Sequence, residues 1–160
     1  MNFTFRTVPN VIFETGASAR LGAIVVKAGL IDAALASLKA EGLDYHLFDG
    51  IEADPPARVV RHSVEVARAH KADGVIGFGG GSSMDAAKII AVLLNSTQTL
   101  EEIYGIGNIK GWRSALALVP TTAGTGSEVT DIAVVTTDDD QKMGVLGDPM
   151  FADVAILDPA

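Results

Sequence analysis

The sequence has no cysteine, which excludes disulfides and thiolate chemistry and suits a reducing, cytoplasmic setting. It has no uninterrupted apolar run approaching the roughly 20 residues of a membrane span. Met1-Asn-Phe-Thr-Phe-Arg6 lacks the apolar core of a signal peptide. Basic residues form no stripe, and a net charge of −8 repels phosphodiester backbones, so nucleic acid is not an expected partner. Internal repeats and low-complexity segments are also missing. What remains is a 160-residue chain, long enough for one domain with one core. Its hydrophobic fraction of 48% and mean hydropathy of +0.32 are high, so surplus apolar surface is expected to meet another domain or subunit.

Taken in order, Phe3, Phe5 and Val11–Phe13 flank Val8-Pro-Asn10 and read as a short β-hairpin. Ser18 caps a helix toward Lys27, and a second helix runs from Leu30 to Glu41 with Gly42 after it. Tyr45–Phe48 reads as a strand. Asp54-Pro-Pro56 breaks the chain before a helix from Ala57 to His70, where Val60, Val64 and Ala67 face inward and Arg61, Glu65 and Arg68 pair outside. A short helix is expected within Thr99–Tyr104, a loop over Gly105–Gly111 and a buried strand over Ala115–Val119. Ile132–Thr136 and Lys142–Leu146 flank Asp138-Asp-Asp140, a solvated hairpin tip, and Val154–Leu157 is a last strand. Apolar strands alternating with amphipathic helices between residues 43 and 119 predict an α/β fold: a mainly parallel sheet with helices on both faces, plus the N-terminal β-hairpin.

The chemistry concentrates in Asp73–Lys88, DGVIGFGGGSSMDAAK. Val75, Ile76 and Phe78 read as a buried strand that stops at Gly79, Gly80 and Gly81; Ser82 offers an N-cap, and Met84–Leu94 is a strong helix former. Three consecutive glycines cost about 0.5–1 kcal/mol each in ordered structure. At a helix N-terminus they let backbone N–H groups face an anion such as phosphate. The alternative is that the glycines only close a tight βα turn, and binding is the preferred reading of the two. The pattern is not G-x-G-x-x-G, because Ser82 stands where the third glycine belongs, and no Gly-Lys-Ser/Thr completes a Walker A loop. A second run, Thr121-Thr-Ala-Gly-Thr-Gly-Ser127, alternates hydroxyls with small residues and also follows a strand. Both therefore lie at the carboxyl edge of the sheet, where ligands of such folds bind.

Gly79-Gly-Gly-Ser-Ser-Met-Asp-Ala-Ala-Lys88 followed by Pro120-Thr-Thr-Ala-Gly-Thr-Gly-Ser-Glu128 resembles the group III, iron-containing alcohol dehydrogenases. The resemblance implies a dehydroquinate synthase-like NAD(P)-binding domain spanning residues 1–160. It implies that Gly79, Gly80, Gly81 and Ser82 hold the pyrophosphate of NAD or NADP, that Asp85, Thr121, Thr122, Thr125 and Thr130 line ribose and nicotinamide, and that Lys142 reaches the cofactor from the hairpin. Asp85 has a second role open to it, favouring the helix dipole and pairing with Lys88. Substrates of the full-length family are alcohols or aldehydes. Its Fe²⁺ or Zn²⁺ is bound by one aspartate and three histidines in a helical domain, expected here beyond Ala160.

His46, His62 and His70 do not stand in the family's histidine motifs, and His62 with Glu65 is read as an ordinary surface pair, so neither a metal site nor a catalytic residue is assigned. The 160 residues alone are accordingly expected not to turn over substrate, and the N-terminal hairpin is a candidate for pairing in a homodimer. A departure from the family lies near Gly29, where a parallel strand and its Asp-Pro turn are missing. Ile24–Val26 either supply that strand or stay helical, leaving the sheet one strand short. Two functional readings stand: the nucleotide-binding part of a metal-dependent alcohol dehydrogenase, or a nucleotide-binding module without chemistry of its own. Glycerol dehydrogenase and dehydroquinate synthase share the architecture, but Ser83–Ala87 and the threonine-rich run fit the iron-dependent group better.

Overall fold

In the computed structural model, residues 10–13 and 31–157 are described. Four strands form a parallel sheet in the order β1 (Asn10–Phe13), β7 (Val154–Leu157), β4 (Ala115–Pro120), β2 (Gly74–Gly79). Helix α3 (Gly81–Leu94) lies on it. On the far side of α3 are helix α2 (Ala57–Ala69) and a second sheet ordered β3 (Gly105–Ile106), β6 (Lys142–Leu146), β5 (Ile132–Thr136). Helix α1 (Ile31–Ala40) ends with Gly42 at φ +71, and the N–H groups of Gly42 and Leu43 donate to the carbonyls of Lys39 and Leu38, a left-handed C-cap. The predicted mainly parallel α/β sheet is present, as are the β5–β6 hairpin, with its exposed aspartate tip, and the last strand.

The middle position of α3 explains its composition. Met84, Ala87 and Ala91 meet Leu116, Leu118 and Ala155 of the main sheet. Ala86, Ile89, Ile90 and Leu93 meet Val60 and Val64 of α2 with Ala133, Val135 and Val145 of the second sheet. A helix covered on several sides needs apolar residues all round rather than one stripe. Side chains of β4 and β7 alternate with period two, so Val119 and Ile156 pack with Phe78 and Val154 on the opposite face of the sheet. A Cβ on Gly77 would come within 2.6 Å of both Ala87 Cβ and Leu118 Cδ2, so glycine there sets how closely α3 approaches the sheet.

Several expectations are corrected. Residues 43–50 hold no strand; Tyr45 and Leu47 are exposed, and the segment meets α2 through rings, His46 stacked on His70 and Phe48 edge-on to His62. Gly105–Ile106, read as loop, pairs parallel with β6. Arg61 and Arg68 do not pair with Glu65 of α2. Arg61 bridges Glu101 and Asp138 at 2.6 Å each, and Arg68 donates to the carbonyls of Leu93, Leu94 and Ser96. Carbonyls at the end of α3 have no intrahelical partner and carry partial negative charge, so they give the Arg68 guanidinium several acceptors in one place. The short helix within Thr99–Tyr104 is a single turn, Glu101–Ile103, entered by a reciprocal cap in which Thr99 N–H donates to Glu102 and Glu102 N–H to Thr99 Oγ1. One arm of the N-terminal hairpin, the Ser18–Lys27 helix and the strand question at Ile24–Val26 lie outside the described residues; the other arm, β1, joins the main sheet beside β7.

Candidate cofactor site

The two motifs meet. Gly79 and Pro120 are register partners at the ends of β2 and β4, and Thr121 N–H donates to the Gly79 carbonyl at 2.8 Å. Gly79 sits at φ +144, a conformation that side chains disfavour. α3 opens at once: Met84 N–H makes the first intrahelical bond, to the Gly80 carbonyl at 3.1 Å, so the N–H groups of Gly81, Ser82 and Ser83 precede the helical ladder. A Cβ on Gly80 would lie 3.3 Å from Thr122 Oγ1, and one on Gly81 would lie 3.5 Å from Thr125. The glycines therefore let the threonine-rich loop lie against the helix start, and Thr122 to Thr125 remain exposed there. Positive helix-end potential, free backbone donors and hydroxyls thus lie together at one solvent-facing edge.

Ser82 is not the N-cap. Gly80 holds that position without any side-chain cap, because the helix begins one residue before Ser82. Ser82 Oγ instead accepts the N–H of Asp54 at 3.1 Å. The Asp54 carboxylate pairs with Lys142 at 2.8 Å, and Thr136 Oγ1 donates to the Asp54 carbonyl. Asp54-Pro-Pro56, read from sequence only as a chain break, is thus a tie between the start of α3 and the β5–β6 hairpin. Asp54 has φ +50, a conformation in which aspartate, asparagine and glycine are enriched, and that was the signal available. Lys142 stands at the site's edge through this tie.

One turn into α3 the polar groups turn inward. Asp85 accepts Ser127 Oγ at 2.5 Å and Val134 N–H at 2.9 Å, so both carboxylate oxygens have protein donors. Lys88 is fully buried, and its ammonium donates to the carbonyls of Thr130 and Ile132 at 3.0 and 2.8 Å and to Thr130 Oγ1 at 3.3 Å. The expected Asp85–Lys88 contact is absent; Asp85 acts on the ammonium through space. Burial lowers the Lys88 pKa to about 8, opposed by the charges of Asp85, Glu128 and Asp131. Glu128 Oε2 is buried with no hydrogen-bond partner among the described residues. Thr130 accordingly spends its hydroxyl inside the protein.

The glycine turn and threonine loop fit a dinucleotide: donors stand where an anion would bind, with no side chain on the three glycines to block approach. Metal is different. Among the described residues, no three His, Asp or Glu side chains converge so as to hold an ion. His62 and Glu65 are 3.9 Å apart on an exposed helix face.

Residues 9–159 match the family described as "Iron-containing alcohol dehydrogenase". The chain is similar to long-chain-alcohol dehydrogenase 1 of Geobacillus thermodenitrificans, 39% identical over 148 residues, covering 85% of this chain and 35% of the relative. Among solved structures, an alcohol dehydrogenase from Oenococcus oeni superposes with a TM-score of 0.91 at 28% identity, over 99% of this chain and 46% of that one. Sulfoacetaldehyde reductase from Bifidobacterium kashiwanohense, solved in complex with NAD+, superposes with a TM-score of 0.82 at 25% identity, over 99% of this chain and 46% of that one. The chain spans about a third of the length of the curated relatives it matches and under half of the solved chains.

Proposed function

The chain belongs to the iron-containing alcohol dehydrogenase family, and we propose that it is the nucleotide-binding part of a metal-dependent enzyme that exchanges hydride between an alcohol or aldehyde and NAD(P). The observation that carries this reading is the bond from Thr121 N–H to the Gly79 carbonyl, which brings the helix start and the threonine loop onto one cleft. In it, the backbone of Gly79, Gly80 and Gly81 with Ser82 holds the diphosphate, and the hydroxyls of Thr121, Thr122 and Thr125 serve ribose and nicotinamide. Asp85 and Thr130 stand behind them, and Lys142 works at the rim with Asp54. Bound NAD(P) supplies the hydride carrier; this chain's own groups bind it, orient it and neutralise its charge. The described residues offer no seat for the metal, so the polarisation of the substrate oxygen belongs to parts of such an enzyme outside them. A homodimer and a cytoplasmic setting, which a cysteine-free sequence suits, are part of the same proposal.

Titrating the purified chain with NADH and NADPH while following nicotinamide fluorescence tests the binding half. Saturable enhancement supports it, and none at millimolar cofactor overturns it. Assays with short alcohols and aldehydes, with Fe²⁺ or Zn²⁺ added, test the rest. These 160 residues are expected to bind without turning over, so appreciable turnover contradicts the assignment of the metal-dependent step to other parts of the enzyme.

A further inference from the structure

Asp85 and Lys88 reach the same stretch of chain from neighbouring positions on α3. Asp85 holds Ser127 and Val134; Lys88 holds Thr130 and Ile132. Every one of these partners lies in the eight residues Ser127–Val134, which begin at the end of the threonine-rich run, and two are main-chain carbonyls that no side-chain substitution can remove. The helix supplying both groups is the one whose first turn forms the phosphate cradle. An acidic group that is half-buried and a basic group that is fully buried, three residues apart and each bonded to the same segment rather than to each other, act as a two-point brace. The brace sets the distance between cradle and loop.

We propose that Asp85 and Lys88 are positioning residues for the cofactor cleft, clamping Ser127–Val134 to α3 so that the threonine loop stands at the right distance from the glycine turn, and that discharging Lys88 opens this clamp. The inference rests on the NAD(P) reading above. A lysine with three donors matches its three acceptors; a neutral amine has two N–H groups for the two carbonyls and meets Thr130 Oγ1 only by accepting from it, which takes that hydroxyl from the Ser127 carbonyl and removes the charge from all three bonds. The charged groups facing Lys88 are Asp85 on its own helix and Glu128 and Asp131 from the segment it holds, and all three favour the charged form. Because burial brings its pKa to about 8 from 10.5, the discharge falls within an accessible alkaline window. The sign separates clamp from fold. Between those two values the unfolded chain holds the proton more tightly, so the Lys88 contribution to stability rises with pH while cofactor affinity falls.

The test uses the full 160-residue chain and two readouts. Cofactor dissociation constants for NADH are measured from pH 7 to 9.5 for the wild type, Lys88→Met and Asp85→Asn. The amide shifts of Thr130 and Val134 are followed over the same range without cofactor. The wild type is expected to lose roughly tenfold in affinity, about the worth of one charge-assisted hydrogen bond, with an inflection shared by the two amides. Lys88→Met should bind weakly at every pH with no inflection. Asp85→Asn should bind more weakly and show an inflection moved to lower pH, since a charge that favours the ammonium is gone. Should Lys88→Met fail to fold, the wild-type profiles and Asp85→Asn decide alone. Flat wild-type amides overturn the clamp, as does an amide inflection with an unchanged dissociation constant. Absence of NADH binding at any pH overturns the NAD(P) reading, and with it the cofactor role of the brace, while the amide profiles still report whether Lys88 titrates against the segment.

Discussion

Replacing Gly80 with alanine separates binding from folding at the point where the two motifs meet. Its backbone, φ −79 and ψ −172, is extended and open to any residue, and the new Cβ would lie 3.3 Å from Thr122 Oγ1 and 3.7 Å from Thr122 Cγ2, on a loop that is exposed and able to give. The folded state therefore loses little, while the unfolded chain loses entropy, so stability should change by no more than about 1 kcal/mol in either direction. The methyl, however, stands between the first N–H groups of α3 and the Thr122 hydroxyl, where the reading above puts a phosphate oxygen. Losing one charge-assisted hydrogen bond is worth about 1.5–3 kcal/mol, a fall in affinity of roughly 10- to 150-fold. Gly77→Ala is the matched control: its Cβ would meet Ala87 Cβ and Leu118 Cδ2 at 2.6 Å, inside the core. That change should cost about 1–3 kcal/mol of stability. NADH fluorescence titration and urea unfolding on both variants read the two quantities. If Gly80→Ala binds NADH as tightly as the wild type, the phosphate is not seated there and the argument from the glycine turn fails.

Asp153→Ala should cost about 1–2 kcal/mol in urea unfolding at pH 7. It removes the carboxylate that Arg113, whose side chain is 3% exposed, meets at 2.6 and 2.8 Å; the figure is held down because Asp153 is itself half-exposed. Arg113 and the Leu116 N–H hold the Asp153 pKa below the ordinary carboxylate range, so this contribution is present above that range and disappears as pH falls through the lower value. Wild type and variant should therefore converge in stability in strong acid, and a gap that persists there contradicts the assignment. Arg61→Ala, which breaks two exposed ion pairs with Glu101 and Asp138, should cost no more than about 1 kcal/mol, with most of the difference gone in 1 M salt. A salt-independent loss would show that Arg61 contributes through packing.

The parts of the site legible in the sequence are those carried by backbone. Three glycines between a strand and a helix, and a loop of small hydroxyl residues after another strand, announce themselves because few other uses justify those residue types. The parallel sheet then brings the two together, since both follow strands and such strands end on one edge. Harder to read was what the side chains do after the turn. Asp85 and Lys88 have the spacing of a surface ion pair, and nothing in a single sequence tells an exposed i+3 pair from two groups turned inward and reaching past each other. The decision belongs to the second sheet, which covers that side of α3 with Ala133, Val135 and Val145. Ser82 was misplaced for a similar reason: Gly80 starts the helix early, freeing the serine hydroxyl for Asp54.

The segment at residues 43–50 shows the limit of propensity more sharply. Tyr45, Leu47 and Phe48 favour extended structure, yet a strand is a property of a pair, and among the described residues β2 pairs with β4 alone. Among the described residues the segment joins no ladder and meets α2 instead, His70 for His46 and His62 for Phe48. Leu43, Tyr45 and Leu47 are left 53%, 41% and 42% exposed, and Ile76 of β2 43%. The bonds that fix the cradle come from the other elements around it. Gly79 is held by Thr121 from β4, Ser82 by Asp54, and Asp85 and Lys88 by the chain leading into β5. Among the described residues the site is thus anchored through the end of β4, through α3 and through the chain entering the second sheet, and its geometry follows from these.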